Sequence, residues 1–134
     1  MITAIDSSVL IAVFLGESNS DAWMDLLVQS RRDGALVISD IVAAEFFAVV
    51  QDRKVFHQVL DDLGLSLVPL SLDACFEAGR IFVEYRKQGG PRKYLIPDFL
   101  IGAHASVDCD RLIAIDRGYL RKYFAGLEVL MAGD

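Results

Sequence analysis

Short, continuously apolar runs alternate with longer segments of helical periodicity along the whole chain. The apolar runs predict strands at residues 1–5, 36–38, 65–70, 112–115 and 127–131. The segments between them predict helices at residues 7–15, 20–33 and 40–52, another helix that follows and runs to about residue 63, and helices at residues 71–87, 97–107 and 117–124. Strands that are apolar at every position are buried on both faces, as in a parallel sheet covered by helices. The pattern therefore predicts an α/β three-layer sandwich with a central, mostly parallel sheet and helices on both faces.

The length and the apolar content favour one soluble domain. A chain of 134 residues, 54% hydrophobic, is long enough for one core, so residues 1–134 are expected to form a single domain. No apolar run is long enough to span a bilayer. The first sixteen residues lack a basic segment and Asp6 interrupts their apolar stretch, so we expect a cytoplasmic protein without a membrane segment. Cys75 and Cys109 have no metal-site spacing and are expected to be reduced thiols.

The net charge at first argues against a nucleic-acid enzyme. Thirteen basic and nineteen acidic residues give a charge of −6, whereas phosphate binding is driven by positive surface. Two interpretations are open: the protein does not bind nucleic acid, or part of its acidity is a site neutralised by divalent cations. The positions of the acids distinguish them.

Four acids differ from the rest because each interrupts an apolar run: Asp6, Glu45, Asp98 and Asp116. A carboxylate drawn toward a core needs a partner or loses its charge, yet Arg117 is the only base within three positions of any of them. Basic residues are not found in the other apolar runs either, which argues against buried ion pairs. Three of these acids have a simpler explanation when each is taken alone, since Asp6 and Asp116 could be N-caps and Asp98 could favour a helix dipole. Glu45, in mid-helix, caps nothing.

The predicted fold brings these acids together. Asp6 and Asp116 each follow a strand, and the carboxyl ends of parallel strands share the edge at which ligands bind in open α/β folds. Glu45 lies about one and a half turns into the helix after the second strand, and Asp98 begins a helix that can dock at the same edge. Converging carboxylates repel one another unless cations lie between them, and hard oxygen ligands select Mg²⁺ or Mn²⁺. Such a site suits phosphodiester hydrolysis.

At these residues the sequence resembles the PIN-domain ribonucleases, and among them the VapC toxins of toxin–antitoxin pairs. The matching motifs are Ile5-Asp-Ser-Ser-Val-Leu, Ser39-Asp-Ile-Val-Ala-Ala-Glu45, Pro97-Asp-Phe-Leu-Ile-Gly-Ala-His-Ala and Leu112-Ile-Ala-Ile-Asp-Arg-Gly-Tyr-Leu. The resemblance covers essentially the whole chain and implies an endoribonuclease that depends on Mg²⁺ or Mn²⁺. It also implies a homodimer and a cognate antitoxin whose tail enters the active site. The family often has Thr or Ser where this chain has Ala114, so one supporting hydroxyl is absent.

Several other residues are candidates for supporting the four acids or for structural roles. Ser7 is a candidate for a supporting hydroxyl beside Asp6. The basic residues Arg92, Lys93, Arg117 and Arg121 flank two of the acids and are candidates for a rim that binds RNA phosphates. His104 lies six positions after Asp98, so it points away from that carboxylate and is expected to be structural. Tyr94 is expected to pack in the core rather than to stack on a base.

Three alternatives remain open at this stage. A receiver-type signalling domain also places acids at strand ends, but it needs adjacent acids where this chain has Ser7 and Ser8. A phosphatase of the haloacid-dehalogenase type needs an Asp at position 8. A catalytically weak PIN scaffold used only for binding is favoured by Ala114 alone.

Overall fold

The computed structural model describes residues 1–91, 94, 96–115 and 118–132. Its strands are β1 (Ile2–Ile5), β2 (Ala35–Ile38), β3 (Leu65–Leu67), β4 (Arg111–Ile113) and β5 (Glu128–Leu130). Its helices are α1 (Ser7–Leu15), α2 (Ser20–Asp33), α3 (Asp40–Val50), α4 (Arg53–Leu63), α5 (Leu72–Lys87), α6 (Ile96–Ala103) and α7 (Tyr119–Tyr123). A π-helical turn, His104–Asp108, extends α6. Within these residues no helix is long and apolar enough to cross a membrane.

The five strands form one sheet in the order β3-β2-β1-β4-β5. All four pairings are parallel, so the predicted mostly parallel sheet is confirmed. Right-handed crossovers place α1 to α4 on one face of this sheet and α5 to α7 on the other. The observed packing agrees, because α1 contacts α2 and α3 while α5 contacts α6. The predicted three-layer α/β sandwich is therefore confirmed, with strands β1, β2 and β4 buried between the layers.

The strand order excludes the receiver-type alternative. Receiver domains have the order 2-1-3-4-5, in which the third strand lies beside the first. In this chain β3 lies outside β2, and β4 pairs with β1. The chain therefore reverses direction across the sheet between β1 and β4. The crevice at the carboxyl ends of those two strands is the place where such sheets bind ligands.

Local signals set most helix ends. The Ser39 hydroxyl accepts a hydrogen bond of 3.2 Å from the Val42 amide and caps α3. Gly34 ends α2 with a φ of 153°, and a Cβ there would lie 1.9 Å from the Met1 carbonyl oxygen, so only glycine fits. Ser18 and Ser20 are both of residue types that cap helices, but Asn19 takes the N-cap position of α2, and its side chain makes no capping hydrogen bond.

Strand β3 is shorter than predicted because its partner ends. β2 stops at Ile38, which pairs with Leu67 and accepts one further hydrogen bond, of 2.9 Å, from the Val68 amide. Beyond that point Pro69 has no amide proton to donate. The Leu70 amide donates to the Asp40 carboxylate at 3.4 Å instead. The apolar run at residues 65–70 therefore continues past the strand into a loop.

Candidate active site

Three of the four predicted acids line one small pocket. Asp6, Glu45 and Asp98 surround a cavity of about 170 Å³ at the carboxyl edge of the sheet, together with Ser7 and Ser8. We call this cavity the acidic pocket. The fourth predicted acid, Asp116, lies outside the described residues. The acids are far apart in the sequence, so their meeting depends on the fold that brings β1, α3 and α6 to one place.

Each acid reaches the acidic pocket from a different element. Asp6 directly follows β1, and its amide donates a 2.9 Å hydrogen bond to the Ile113 carbonyl of β4, so it lies at the reversal point of the sheet. It occupies the N-cap position of α1, but its side chain makes no capping hydrogen bond. Glu45 lies in the second turn of α3 and Asp98 in the first turn of α6. The N-cap position alone therefore does not account for the Asp6 side chain, which accepts a hydrogen bond from Ser8 Oγ.

Two serine hydroxyls hold two of the carboxylates. Ser7 Oγ donates to Glu45 Oε1 at 3.0 Å, and Ser8 Oγ donates to Asp6 Oδ2. Ser7 was predicted to support Asp6, whereas its hydroxyl contacts the acid on the neighbouring helix. Ser8 was not predicted. Its position two residues after Asp6, at the start of a helix, was the available signal, since short polar side chains there bond locally.

Burial and like charge make these carboxylates difficult to ionise. The pKa of Asp6 is raised, first by its burial and then by the negative charge of Asp98, against the opposing effect of the Ser8 hydroxyl and nearby amides. The pKa of Glu45 is raised by partial burial, and the charges of Asp6 and Asp98 add to the rise, while Ser7 opposes it. The acidic pocket therefore concentrates negative charge in a place where water does not fully screen it.

The donor atoms have the chemistry of a hard cation site. Among the described residues that line the acidic pocket, the polar groups are three carboxylates, two serine hydroxyls and two tyrosine hydroxyls, with no base, imidazole or thiol. Oxygen donors of this kind suit Mg²⁺ or Mn²⁺, and a dication would offset the burial and the repulsion that raise the two pKa values. As they stand, no three His, Cys, Asp or Glu side chains in the described part of the chain are arranged to hold a metal ion. The fit to a cation is thus one of donor type and charge.

Aromatic residues form the rest of the wall. Tyr94 and Tyr119 both line the acidic pocket, and their rings stack with centroids 4.3 Å apart. Tyr94 is half-buried, and its ring packs against Tyr85 as expected. It also lines the acidic pocket, which was not expected. Of the proposed phosphate rim, Arg92, Lys93 and Arg117 lie outside the described residues. Arg121 is exposed on α7, with its guanidinium 3.9 Å from Met131 Sδ, and does not line the acidic pocket.

His104 and Arg111 are buried polar residues that do not line the acidic pocket. His104 is 2% exposed, and its Nε2 donates to the Val68 carbonyl at 2.7 Å, which confirms the predicted structural role. Arg111 is buried in β4 and donates to Thr3 and Asp33, at the opposite edge of the sheet. Arg111 directly precedes the apolar run at residues 112–115, and the structure includes it in β4. That arginine compensates Asp33 and does not reach the three acids.

Comparisons with known proteins agree with this fold. A family model described as the PIN domain matches residues 3–125. Among solved structures, VapBC2 from Rickettsia felis bound to a promoter DNA fragment has a TM-score of 0.74 and 20% identity, covering 98% of this chain and 99% of that one. VapBC-1 from nontypeable Haemophilus influenzae has a TM-score of 0.73 and 18% identity, covering 98% of each chain. FitAcB from Neisseria gonorrhoeae has a TM-score of 0.64 and 22% identity, covering 97% and 96%.

A search of curated proteins found no match. The identities to the solved structures are low, so those likenesses show a shared fold. The family match rests on the sequence itself and spans β1 to the residues just after α7. On this evidence the chain belongs to the PIN domain family.

Proposed function

We propose that the protein is a metal-dependent endoribonuclease that acts as the toxin of a toxin–antitoxin pair. The observation that carries this proposal is the convergence of Asp6, Glu45 and Asp98 on one pocket at the carboxyl edge of the sheet. We propose these three residues, with Asp116 as a fourth, as the catalytic set and the ligands of Mg²⁺ or Mn²⁺. RNA is the proposed substrate.

The biological setting is proposed from the relatives. The solved structures with this fold include VapBC complexes and one described as a toxin–antitoxin complex from Klebsiella pneumoniae. We therefore propose a cognate antitoxin protein as a partner, a homodimer as the assembled state, and a cytoplasmic location. The strongly negative charge of the chain also suits this function, because part of it lies in the acidic pocket.

Each residue of the acidic pocket has its own proposed part in holding a substrate phosphate next to the attacking water molecule. A bound dication would activate that water and stabilise charge on the phosphate. Asp6 and Asp98 would hold the cation from opposite elements, and the Ser8 hydroxyl would orient the Asp6 carboxylate. Ser7 Oγ donates to Glu45 Oε1, and Oε2 of the same carboxylate would be a further oxygen ligand for the cation. The stacked Tyr94 and Tyr119 rings form one wall of the pocket.

A cleavage assay tests the proposal. Labelled single-stranded RNA should be cut internally by the protein with Mg²⁺ or Mn²⁺, and should remain intact in EDTA. Asp98→Asn replaces a charged ligand by a neutral amide, so activity should fall by more than the roughly 10- to 100-fold that loss of an outer partner costs. Asp25→Asn, on the exposed face of α2, is the matched control and should cut normally. Equal cleavage by the Asp98 variant would refute the proposed site.

A catalytically weak scaffold is the second candidate. Ala114 favours it, because this buried residue at the end of β4 has no hydroxyl to offer the site. Such a scaffold would bind a partner protein and leave RNA uncut at every metal concentration. Cleavage by the wild-type protein that is lost in Asp98→Asn would exclude it.

A further inference from the structure

A second, larger groove adjoins the acidic pocket. It has a volume of about 490 Å³, and four tyrosines line it: Tyr85, Tyr94, Tyr119 and Tyr123. We call it the tyrosine groove. Tyr94 and Tyr119 line both cavities, so one stacked pair of rings forms the wall between them. If the reacting phosphate of a ligand lies in the acidic pocket, the group next to that phosphate would therefore contact the Tyr94 and Tyr119 rings.

The two cavities have opposite charge. The acidic pocket has three carboxylates, whereas the described residues that line the tyrosine groove include Lys122 and no acid. The Lys122 ammonium lies 5.4 Å from the centre of the Tyr123 ring, on the exposed side of α7. A groove with one cation beside several rings suits a ligand that has a phosphate next to a planar base.

Hydrogen bonds join α5 to the loop at residues 90–91, which forms the floor of the tyrosine groove. The Tyr85 hydroxyl donates to the Pro91 carbonyl at 2.6 Å, and the Arg86 guanidinium donates to the Gly90 carbonyl at 2.8 Å. A Cβ at Gly90 would lie 2.6 Å from the Tyr85 ring, so the loop approaches α5 as closely as only glycine allows. A preformed groove avoids the entropy cost of ordering a loop on binding.

The tyrosine groove continues away from the acidic pocket. A further depression of about 410 Å³ shares Gln88, Lys122 and Tyr123 with it and is also lined by Arg80 and Glu84. Arg80 forms an ion pair with Glu77 at 2.6 Å, so Lys122 rather than Arg80 is the cation that the described part of this surface offers to a ligand. This order suits an extended strand with its reacting phosphate at the acidic pocket, a stacked base next to it, and the following phosphate near Lys122.

We propose that the tyrosine groove binds the base and phosphate next to the scissile bond of single-stranded RNA. This inference rests on the proposed ribonuclease function and adds the residues that hold the nucleotide next to the reacting phosphate. Bases in a duplex are already stacked and paired, whereas those of a single strand can turn out onto aromatic side chains. The groove therefore selects unpaired RNA over duplex RNA.

Binding can be measured apart from cleavage. In the Asp98→Asn background, fluorescence anisotropy would follow labelled oligo(A), alone and annealed to oligo(U), with Mg²⁺ present. Tyr119→Leu removes a stacking face, so affinity for oligo(A) should fall by roughly 5- to 100-fold, and Tyr119→Phe should restore it. Lys122→Gln should make the salt dependence of binding shallower by roughly 0.7 in log–log slope, the value for one lost phosphate contact to a single strand. Phe76→Leu and Lys54→Gln, exposed on α5 and α4, are matched controls that should change neither.

The outcomes separate this inference from the function on which it rests. The proposed role of the tyrosine groove would be overturned by any of three results: unchanged affinity in folded Tyr119→Leu, an unchanged salt slope in Lys122→Gln, or equal affinity for the duplex. None of these results would contradict the proposed RNA cleavage. Groove-dependent binding of oligo(A) by a wild-type protein that cuts no RNA would support the groove and overturn the nuclease. If Tyr119→Leu does not fold, Tyr94→Leu and the exposed Lys122→Gln decide the question.

Discussion

Asp6 shows in one residue how the fold creates an unfavourable charge. The residue follows the central strand β1, where the surrounding layers bury it, and Asp98 faces it from another helix. The Ser8 hydroxyl donates one hydrogen bond but brings no positive charge. The raised pKa of Asp6 indicates a functional role for this residue, because strongly perturbed carboxylates in clefts are frequently functional.

The first prediction concerns the stability of Asp6→Asn without metal. A carboxyl whose folded pKa is raised stabilises the fold below its unfolded value of 3.8, and this contribution is lost as the pH rises through the folded pKa. In EDTA at neutral pH, the melting temperature of Asp6→Asn should therefore be higher than that of the wild type. The increase should be about 4 °C for each kcal/mol of destabilisation by the buried charge that the substitution removes. The difference should vanish below about pH 4. Thermal melts against pH measure it, with Asp25→Asn as control; a lower melting temperature at neutral pH would show that the charge is compensated.

The second prediction concerns the two thiols, which are both free as expected from their spacing. Burial, together with the charges of Asp108 and Asp110, raises the pKa of Cys109 to about 12. Near pH 8 its thiolate fraction is then about one in ten thousand, whereas Cys75 is exposed. Iodoacetamide should label Cys75 in the native protein and Cys109 only after unfolding, as read by mass spectrometry. Equal labelling rates in the native state would contradict the burial of Cys109.

At the scale of helices and strands, the sequence predicted where elements lie better than how they end. Apolar runs specify buried strands directly, because both faces of a central parallel strand are covered. Ends depend on partners that are distant in sequence. The end of β3 follows from the end of β2 at Ile38, and the burial of Arg111 follows from Thr3 and Asp33 on neighbouring elements. A pattern read along one segment does not contain those contacts.

The third prediction concerns the π-helical turn after α6. A carbonyl only accepts hydrogen bonds, so His104 Nε2 carries the proton donated to Val68, and Nδ1 faces Cys109 Sγ at 3.9 Å. His104→Ala leaves the Val68 carbonyl without this donor and should cost about 1–3 kcal/mol of stability. His104→Gln retains a donor and should keep near-normal RNA cleavage, because His104 does not line the acidic pocket. Denaturant unfolding and the cleavage assay measure the two effects; a hundredfold loss of cleavage in folded His104→Gln would give this residue a role at the site.

At the scale of the whole molecule, the site is a product of topology. Parallel strands bring their carboxyl ends to one edge, so the convergence of Asp6, Glu45 and Asp98 could be predicted from strand and helix positions alone. The pairing of each serine with its acid could not, because Ser7 reaches across to α3 while Ser8 turns back to Asp6. The tyrosine groove was also missed. Its rings come from three separated segments, and each one alone is typical of core packing.

The same topology reconciles the acidic chain with a nucleic-acid substrate. Three of the nineteen acids lie in one pocket, where a dication would neutralise them, and Lys122 lies along the adjoining surface. Local charge therefore matters more for substrate binding than net charge, because salt screens charges that lie more than about 10 Å away.

The most direct test of this account is Mn²⁺ binding to the protein and to Asp98→Asn, measured by calorimetry and by melting temperature. A ligand that binds only the folded state stabilises it, by about 2.7 kcal/mol at a hundred times its dissociation constant. Mn²⁺ should bind the wild type and Asp25→Asn and raise their melting temperatures, and should do neither for Asp98→Asn. Equal binding and equal stabilisation of Asp98→Asn and the wild type, or no binding to the wild type, would contradict a metal site shared by Asp6, Glu45 and Asp98.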